Sequence, residues 1–529
     1  MKTSGRPGAP FNRAVALTFL AAIVGCAPAP ATEGAAADTA AICAQIFSTN
    51  DMHGRLLPAE YAWSGGRPVG GSAALAAYAR EADAEAPECP LFIVSGGDIM
   101  QGTLVSNLAD GASTIAALNA IGYDAAAIGN HEFDWGVEIL RERIAQADFP
   151  LLGANIYERA TGEHPPWVRP WAIVEKDGVR VGFIGATTRS TPTSTRPTNV
   201  VDFEFRSIAA ALDRYIPEVR EAGADFVVAV MHEGGFCNDD GCDGEALEEL
   251  AATTERFDYA VTGHTHSPLE TEIRGTPVVQ SYSYSTAFGL GRLDRDAGGA
   301  VRARLVGIRR TYVDEVTPDP DVQSLVQGFA AEVADVVGRV VTEFAEPIAK
   351  PRRGDLVLGR LIADAQRAAT GTQVALMNAG GVRRAMPAGE ITYADLFELQ
   401  PFGNRLVTLS LSGARLLDAF EHGLADGDPD AQLSGVRVTY DAGAQRGARI
   451  VHAELVDGTP IEPESTYTVT VNDFMSIGGS GYTMFLDADD VVDTGIVDVE
   501  ALVEYLDGRR RPAPIPGDSR WIPAGRDPR

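Results

Sequence analysis

Five clusters rich in Asp, Asn and His occupy the first half of the sequence, and each follows a short apolar run. The run 42–48 leads into Asn50-Asp51-Met52-His53-Gly54, and Leu91–Ser95 leads into Gly96-Gly97-Asp98. The run 125–128 leads into Gly129-Asn130-His131-Glu132-Phe133-Asp134. The run 226–231 leads into His232-Glu233-Gly234, and 259–262 into Gly263-His264-Thr265-His266. Asp51 and His53 are two apart on extended chain, so both can face one way, and His264 and His266 repeat that spacing. Mixed Asp, Asn and His donors suit Mn, Zn, Fe or Co better than Ca or a thiolate site. Asp51, His53, Asp98, Asn130, His232, His264 and His266 exceed the needs of one tetrahedral ion. They imply two ions sharing a bridging carboxylate, a pair that about 3.5–4 Å apart can clamp a phosphoryl group and activate a water. Any one cluster alone reads as a hydrogen-bonded loop; five in order read as a metal centre. Glu233 reads as a supporting side chain rather than a ligand.

Open α/β sheets bind ligands beyond the carboxyl ends of their strands, so these runs are predicted strands. Helices are predicted between them at Ser72–Glu85, 114–120, 207–222 and 244–252. A chain of 529 residues exceeds one ordinary core and predicts two domains. Thr317-Pro318-Asp319-Pro320 is a break, and the stretch from 321 to about 341 predicts an amphipathic helix joining two units. Beyond it, a helix is expected at 358–369, a Gly-rich turn at 378–381, and strands at 405–411, Val436–Tyr440 and 466–471. Residues 509–529, rich in Pro and Arg, are expected to be irregular.

The second half holds recognition chemistry rather than acid–base chemistry. Arg352 and Arg353 precede a predicted helix, and the turn from Met377 to Arg383 carries Asn378 and Arg383. Phe402 and Asn404 flank Gly403, and Phe474 precedes the Gly-rich run through Ser480 to Tyr482. Arginines fork onto phosphate or carboxylate, and aromatic rings stack on nucleobases. Read singly, a Phe beside a Gly turn is a core residue.

The formal net charge of -29 argues against a nucleic-acid polymer as partner, since a phosphate backbone needs a basic surface. Small phosphorylated substrates remain open, because bound metal ions invert the local field. Lys2, Arg6 and Arg13 precede an apolar run, 14–24, that ends at Gly25-Cys26. This resembles a bacterial lipoprotein signal: residues 1–25 are expected to be removed and Cys26 acylated, with 26–41 as a flexible tether. The other four cysteines predict two disulfides in an exported protein. Cys237 and Cys242 are expected to pair within one loop, and Cys43 and Cys89 to staple neighbouring strands.

Taken together, the D-x-H, GD, GNHE, H and GH-x-H blocks resemble the calcineurin-like metallophosphatase superfamily. Phe133-Asp134 and the second-half motifs narrow the resemblance to the 5′-nucleotidase family, from about residue 44 to about residue 505. The resemblance implies an α/β (α+β) fold. An N-terminal four-layer αββα metallophosphatase domain would span 42–318, a linker helix 319–343, and a C-terminal α/β nucleoside-binding domain 344–529. It implies that Asp51, His53 and His266 hold one divalent ion and Asn130, His232 and His264 the other, with Asp98 bridging. The expected metal is Zn, Mn, Co or Fe. His131 and Asp134 look like the family's catalytic dyad, with water rather than a Ser or Cys as nucleophile. Phe402 and Phe474 look like a base sandwich, Asn404 like a base contact, and Arg352, Asn378 and Arg383 like phosphate or ribose contacts. Arg353 replaces Arg352 if the register slips by one. One position departs: the family motif N-G-G-D-G-[YF] has Ser480 here in place of its ribose-binding Asp.

The implied activity is hydrolysis of nucleoside 5′-monophosphates. Alternatives are UDP-sugars, 2′,3′-cyclic nucleotides or 3′-nucleotides, then thiosulfate-ester hydrolysis, and a non-catalytic nucleotide-binding lipoprotein. The expected setting is periplasmic or cell-surface, on the outer membrane by the Ala27 that follows Cys26, with the lipid as the only membrane contact.

Overall fold

The computed structural model describes residues 41–61, 63–238 and 241–525. The signal segment, Cys26 and nearly all of the tether lie outside the described residues.

Two six-stranded sheets build the first half. One runs in the order Val301–Arg310, Ala287–Arg295, Ile42–Thr49, Leu91–Ser95, Ala125–Ala127, Leu151–Leu152. The other runs Leu269–Ile273, Thr276–Gln280, Tyr259–Val261, Phe226–His232, Val179–Thr187, Trp171–Lys176. The strands that carry the polar clusters pair in parallel within each sheet. Parallel strands covered on both faces read as unbroken apolar runs, as these do. Alternation still sorts their side chains. Phe92 and Val94 enter the core between the sheets, with Val228, Val230 and Val261 opposite. Leu91 and Ile93 face outward onto helices Ser72–Glu85 and Ala112–Ile121. Val227, Ala229 and Met231 face outward onto Ile208–Glu221 and Glu245–Ala252. The result is the four-layer αββα stack.

The second half is a five-stranded sheet in the order Ala431–Ser434, Val374–Asn378, Thr466–Asn472, Arg405–Ser412, Asp489–Val497. Helices Val357–Thr370 and Asp498–Asp507 pack in one core and Gly413–His422 in another. Two expectations need correction here. The joining helix is shorter than predicted: Pro320–Glu332, capped by the Asp319 carboxylate with Pro320 in the first turn. Val333 leaves helical geometry, and after the short turn Ala334–Val337 the chain becomes strand Val340–Phe344, paired with Gly389–Thr392. The β-branched Val336-Val337 and Val340-Val341, around Gly338, favour that switch. The C-terminal stretch is not wholly irregular either. Trp521–Pro523 adds a parallel strand beside Val436–Tyr440, and the buried Trp521 indole donates to the Ala431 carbonyl at 2.8 Å. A three-residue strand carries no periodicity to read.

Both disulfides form as expected, Cys43 with Cys89 and Cys237 with Cys242. The first ties strand Ile42–Thr49 to the loop entering its neighbour Leu91–Ser95, across a sequence separation of 46. Chain entropy assigns such a loop about 4 kcal/mol. Replacing Cys43 and Cys89 by Ser is expected to lower unfolding stability by about that much, measured in denaturant titrations. Non-reducing mass spectrometry is expected to find no free thiol among these four cysteines.

Candidate active site

Every polar cluster sits at or just beyond the carboxyl end of its strand, so both sheets deliver side chains to one edge of the stack. Asp51, His53 and His266 form one group whose donor atoms all lie within 4.8 Å of one another, and Asp98, His232 and His264 form a second. Asn130 joins the second group, its Oδ1 lying 3.1 Å from His232 Nε2. Asp98 Oδ2 is 3.0 Å from His232 Nε2 and 3.9 Å from His53 Nε2, so this one carboxylate faces both groups.

The tautomers follow from the neighbours. His53 Nδ1 lies 2.7 Å from the Gln101 carbonyl and His232 Nδ1 2.8 Å from the Gly96 carbonyl. Carbonyls only accept, so both Nδ1 atoms carry protons and both rings turn Nε2 inward, His53 with a lone pair and His232 toward Asp98 Oδ2. His53 Nε2 and His266 Nε2 are 3.0 Å apart. With the His53 lone pair facing it, His266 Nε2 either donates its own proton to His53 or shares a cation with it. Burial holds His53 well below the usual imidazole range and His264 at about 3, so these rings are neutral, as ligands must be. At His232 burial works the same way, but Asp98 outweighs it and draws a proton, pushing the ring up to about 10. The field that draws that proton draws a cation. The donor set therefore fits two divalent ions.

The backbone is bent to make this crowd possible. Asp51, His53, Asp98, His264 and His266 all have positive φ, between 49° and 74°. Such values are uncommon outside glycine and gather at functional sites. A Cβ on Gly129 would lie 2.2 Å from Asp98 Oδ1, so glycine is required there. Glu132, given no role from the sequence, is the brace: its buried carboxylate accepts the amides of Asp98, Ile99 and Gly129 at 2.7–2.9 Å. Its only sequence signal is its place inside the GNHE block. Asn50 is a second unforeseen support, donating to Asp51 Oδ2 at 2.7 Å while its Oδ1 accepts the Ser281 amide. Glu233 points away and accepts from the Thr188 hydroxyl at 2.8 Å.

His131 Nδ1 donates to Asp134 Oδ2 at 2.7 Å, and Thr195 Oγ1 donates to Asp134 Oδ1 at 2.7 Å. His131 Nε2 faces Asp98 Oδ2 at 4.0 Å. Burial favours the neutral ring, but Asp134 and Asp98 outweigh it and raise the His131 pKa.

A cavity of about 250 Å³ joins this edge to the second half. Asp98, Asn130, His131, Asp134, His264 and His266 line it from one side; Asn378, Arg383, Phe402, Asn404, Phe474 and Ser480 line it from the other. The Phe402 ring stacks on His131 with centroids 5.4 Å apart. Arg383 Nη2 donates to His53 Nε2 at 3.3 Å. Asn378 Nδ2 donates to Ser480 Oγ at 3.4 Å. The segment Thr193 to Arg196 also lines the cavity, which its sequence did not announce. Arg352 stands apart: its guanidinium lies 5.0 Å from the Phe236 ring centroid and outside the cavity wall. Arg353 pairs with Asp426 at 3.0 Å.

A four-layer stack with paired donor clusters at one strand edge is the frame of a metallophosphoesterase, and residues 44–268 match the calcineurin-like phosphoesterase family. Residues 336–487 match the 5′-nucleotidase C-terminal domain. Protein UshA of Yersinia enterocolitica is 30% identical, over 79% of this chain and 83% of its own length. The endonuclease YhcR of Bacillus subtilis is 32% identical over 87% of this chain, which spans only 39% of that protein. The crystal structure of a 5′-nucleotidase precursor from Thermus thermophilus superposes with a TM-score of 0.81 at 27% identity, covering 92% of this chain and all of that one. The chain belongs to the 5′-nucleotidase family of calcineurin-like phosphoesterases.

That fold implies divalent metals, and the two groups described above are where this chain offers to hold them. Metal analysis of the purified protein is expected to find about two ions per chain. Asp98→Ala is expected to lower that content to about one or less, because it removes the carboxylate that faces both groups.

Proposed function

We propose that this enzyme hydrolyses the phosphate ester of nucleoside 5′-monophosphates, releasing nucleoside and phosphate. One observation carries the reading: a single cavity is bounded by both donor groups and by Phe402 and Phe474. In this reading Asp51, His53 and His266 would hold one ion and Asn130, His232 and His264 the other, with Asp98, which faces both groups, available to each. When bound, such a pair polarises the phosphoryl group and activates a water for in-line attack. The residues of the chain do the rest. His131, charged by its Asp134 neighbour, stabilises negative charge on the transferring phosphoryl group. Thr195 holds Asp134 in place. Arg383 reaches the phosphate side, Phe402 and Phe474 stack on the base, and Asn404 reads its edge.

Ser480 bears on the ribose. A charged acceptor contributes about 1.5–3 kcal/mol per hydrogen bond and a neutral one about 1 kcal/mol, so ribose hydroxyls are gripped less firmly than by a carboxylate. Arg352 joins the phosphate contacts only by moving off Phe236, and its assignment rests on the motif alone. The two disulfides support export, and the Gly25-Cys26 junction supports a lipid anchor, so in this reading the reaction runs in the periplasm or at the cell surface.

Phosphate release from AMP is the direct test, and EDTA is expected to abolish it. His131→Ala is expected to lower kcat by about 10²–10⁴-fold while metal content stays at the wild-type level. Loss of metal in that variant contradicts the role assigned to His131. Wild-type kcat/KM for AMP and dAMP is expected to agree within about threefold, and Ser480→Asp is expected to raise the AMP preference by about tenfold.

A further inference from the structure

Between the two halves lies an ion cluster that the chemistry above does not use. Arg55 Nη1 and Nη2 donate to Glu398 Oε1 and Oε2 at 2.9 and 2.6 Å, a two-pronged fork. Arg384 donates to the same Glu398 carboxylate and lies 3.3 Å from Asp395. The Arg55 and Glu398 side chains are only 11% and 13% exposed.

The placement of the cluster gives it meaning. Arg55 stands two residues after His53, and Arg384 directly follows Arg383. Other contacts between the halves converge on the same two points. The Gln101 carbonyl accepts the His53 Nδ1 proton, while the Gln101 side-chain amide donates to the Pro401 carbonyl at 3.0 Å. Asn107 Nδ2 donates to that carbonyl at 2.8 Å, and Pro401 precedes Phe402. The Tyr284 hydroxyl donates to the Arg383 carbonyl at 3.3 Å. The loops of the first half that surround His53 thus also touch the chain beside Arg383 or Phe402. Among these contacts only the Arg55 fork is charged, buried and bidentate, and such geometry fixes orientation as well as distance.

We propose that Arg55, Glu398 and Arg384 are positioning residues that seat Arg383 and Phe402 against the metal-bearing loops. This deepens the nucleotidase reading and rests on it. The cluster touches no substrate and acts through Arg383 and Phe402. It serves nucleotides, which the second half must hold, and matters little for a substrate that needs only the metal edge. Burial raises the Glu398 carboxyl, but Arg55 and Arg384 outweigh it and keep it below the usual range, so the fork persists at neutral pH.

The test compares AMP with p-nitrophenyl phosphate in full-length Glu398→Gln, which keeps the side-chain shape and removes the charge. The expected result is a loss of about tenfold or more in kcat/KM for AMP, against less than about threefold for p-nitrophenyl phosphate, with metal content unchanged. The radius of gyration from small-angle X-ray scattering is expected to rise. Arg55→Lys leaves no unpaired buried carboxylate and breaks only the fork, so it guards against a folding failure; it is expected to show the same pattern at about a third of the size. An unchanged AMP rate overturns the proposal, as does an equal loss for both substrates, which marks a merely structural contact. If the wild type does not hydrolyse AMP, the nucleotidase reading fails on its own. Scattering then decides the cluster: an unchanged radius of gyration in Glu398→Gln overturns it.

Discussion

The structure turns on one electrostatic constraint: seven electron-pair donors are packed at one edge, with Asp51, His53, Asp98, Asn130 and His232 buried and His264 and His266 partly so. Asp98 shows its strength. Its Oδ2 faces imidazole nitrogens of His232, His53 and His131 at 3.0 to 4.0 Å, and its Oδ1 accepts the His131 amide. Such a gathering is unfavourable without cations, so the surrounding fold must hold it in place before they arrive. Hydrophobic burial of two sheets and their covering helices supplies the rigid frame. Glu132 accepts four amides, those of Gly129, Asp98, Ile99 and Met100, and so fixes the Asp98 turn from behind. The left-handed backbone at Asp51, His53, Asp98, His264 and His266 is strain that this frame absorbs.

The division of labour between the halves follows from the same constraint. The donor edge presents acids, imidazoles and the Tyr284 ring, whose centroid lies 5.4 Å from those of His53 and His266. The two phenylalanines that face it across the cavity come from loops at the end of the second sheet. Phe402 follows helix Tyr393–Leu399, and Phe474 lies in the turn after strand Thr466–Asn472. Neither half encloses the cavity alone.

Much of this was legible in the residues, and the limits have physical causes. Parallel strands buried on both faces gave unbroken apolar runs, and a polar residue directly after such a run had one place to go. Local disulfide pairing in Cys237-Asn-Asp-Asp-Gly-Cys242 needed only loop length. The role of Glu132 is not legible in its block, because only the direction of its carboxylate, toward backbone amides, defines it. Arg55 and Glu398 lie 343 positions apart, and a pair of charges has no period by which one predicts the other. The apolar pattern of the joining helix continues past Val333, but the backbone leaves helical geometry at that residue, so the pattern overstates the helix's length. Arg352 was placed by motif, and its resting contact with Phe236 depends on how the halves meet.

Helix Pro320–Glu332 packs through Val322 and Val326 against Leu56, Ala73 and Ala117, so it belongs to the first half, and only the stretch 333–339 crosses to the second. So short a tether keeps each half within reach of the other at an effective concentration in the millimolar range or above. Individually weak contacts are then enough to dock the halves. They can also be given up one at a time without the partners ever diffusing apart, so tight grip and rapid turnover are compatible in one chain.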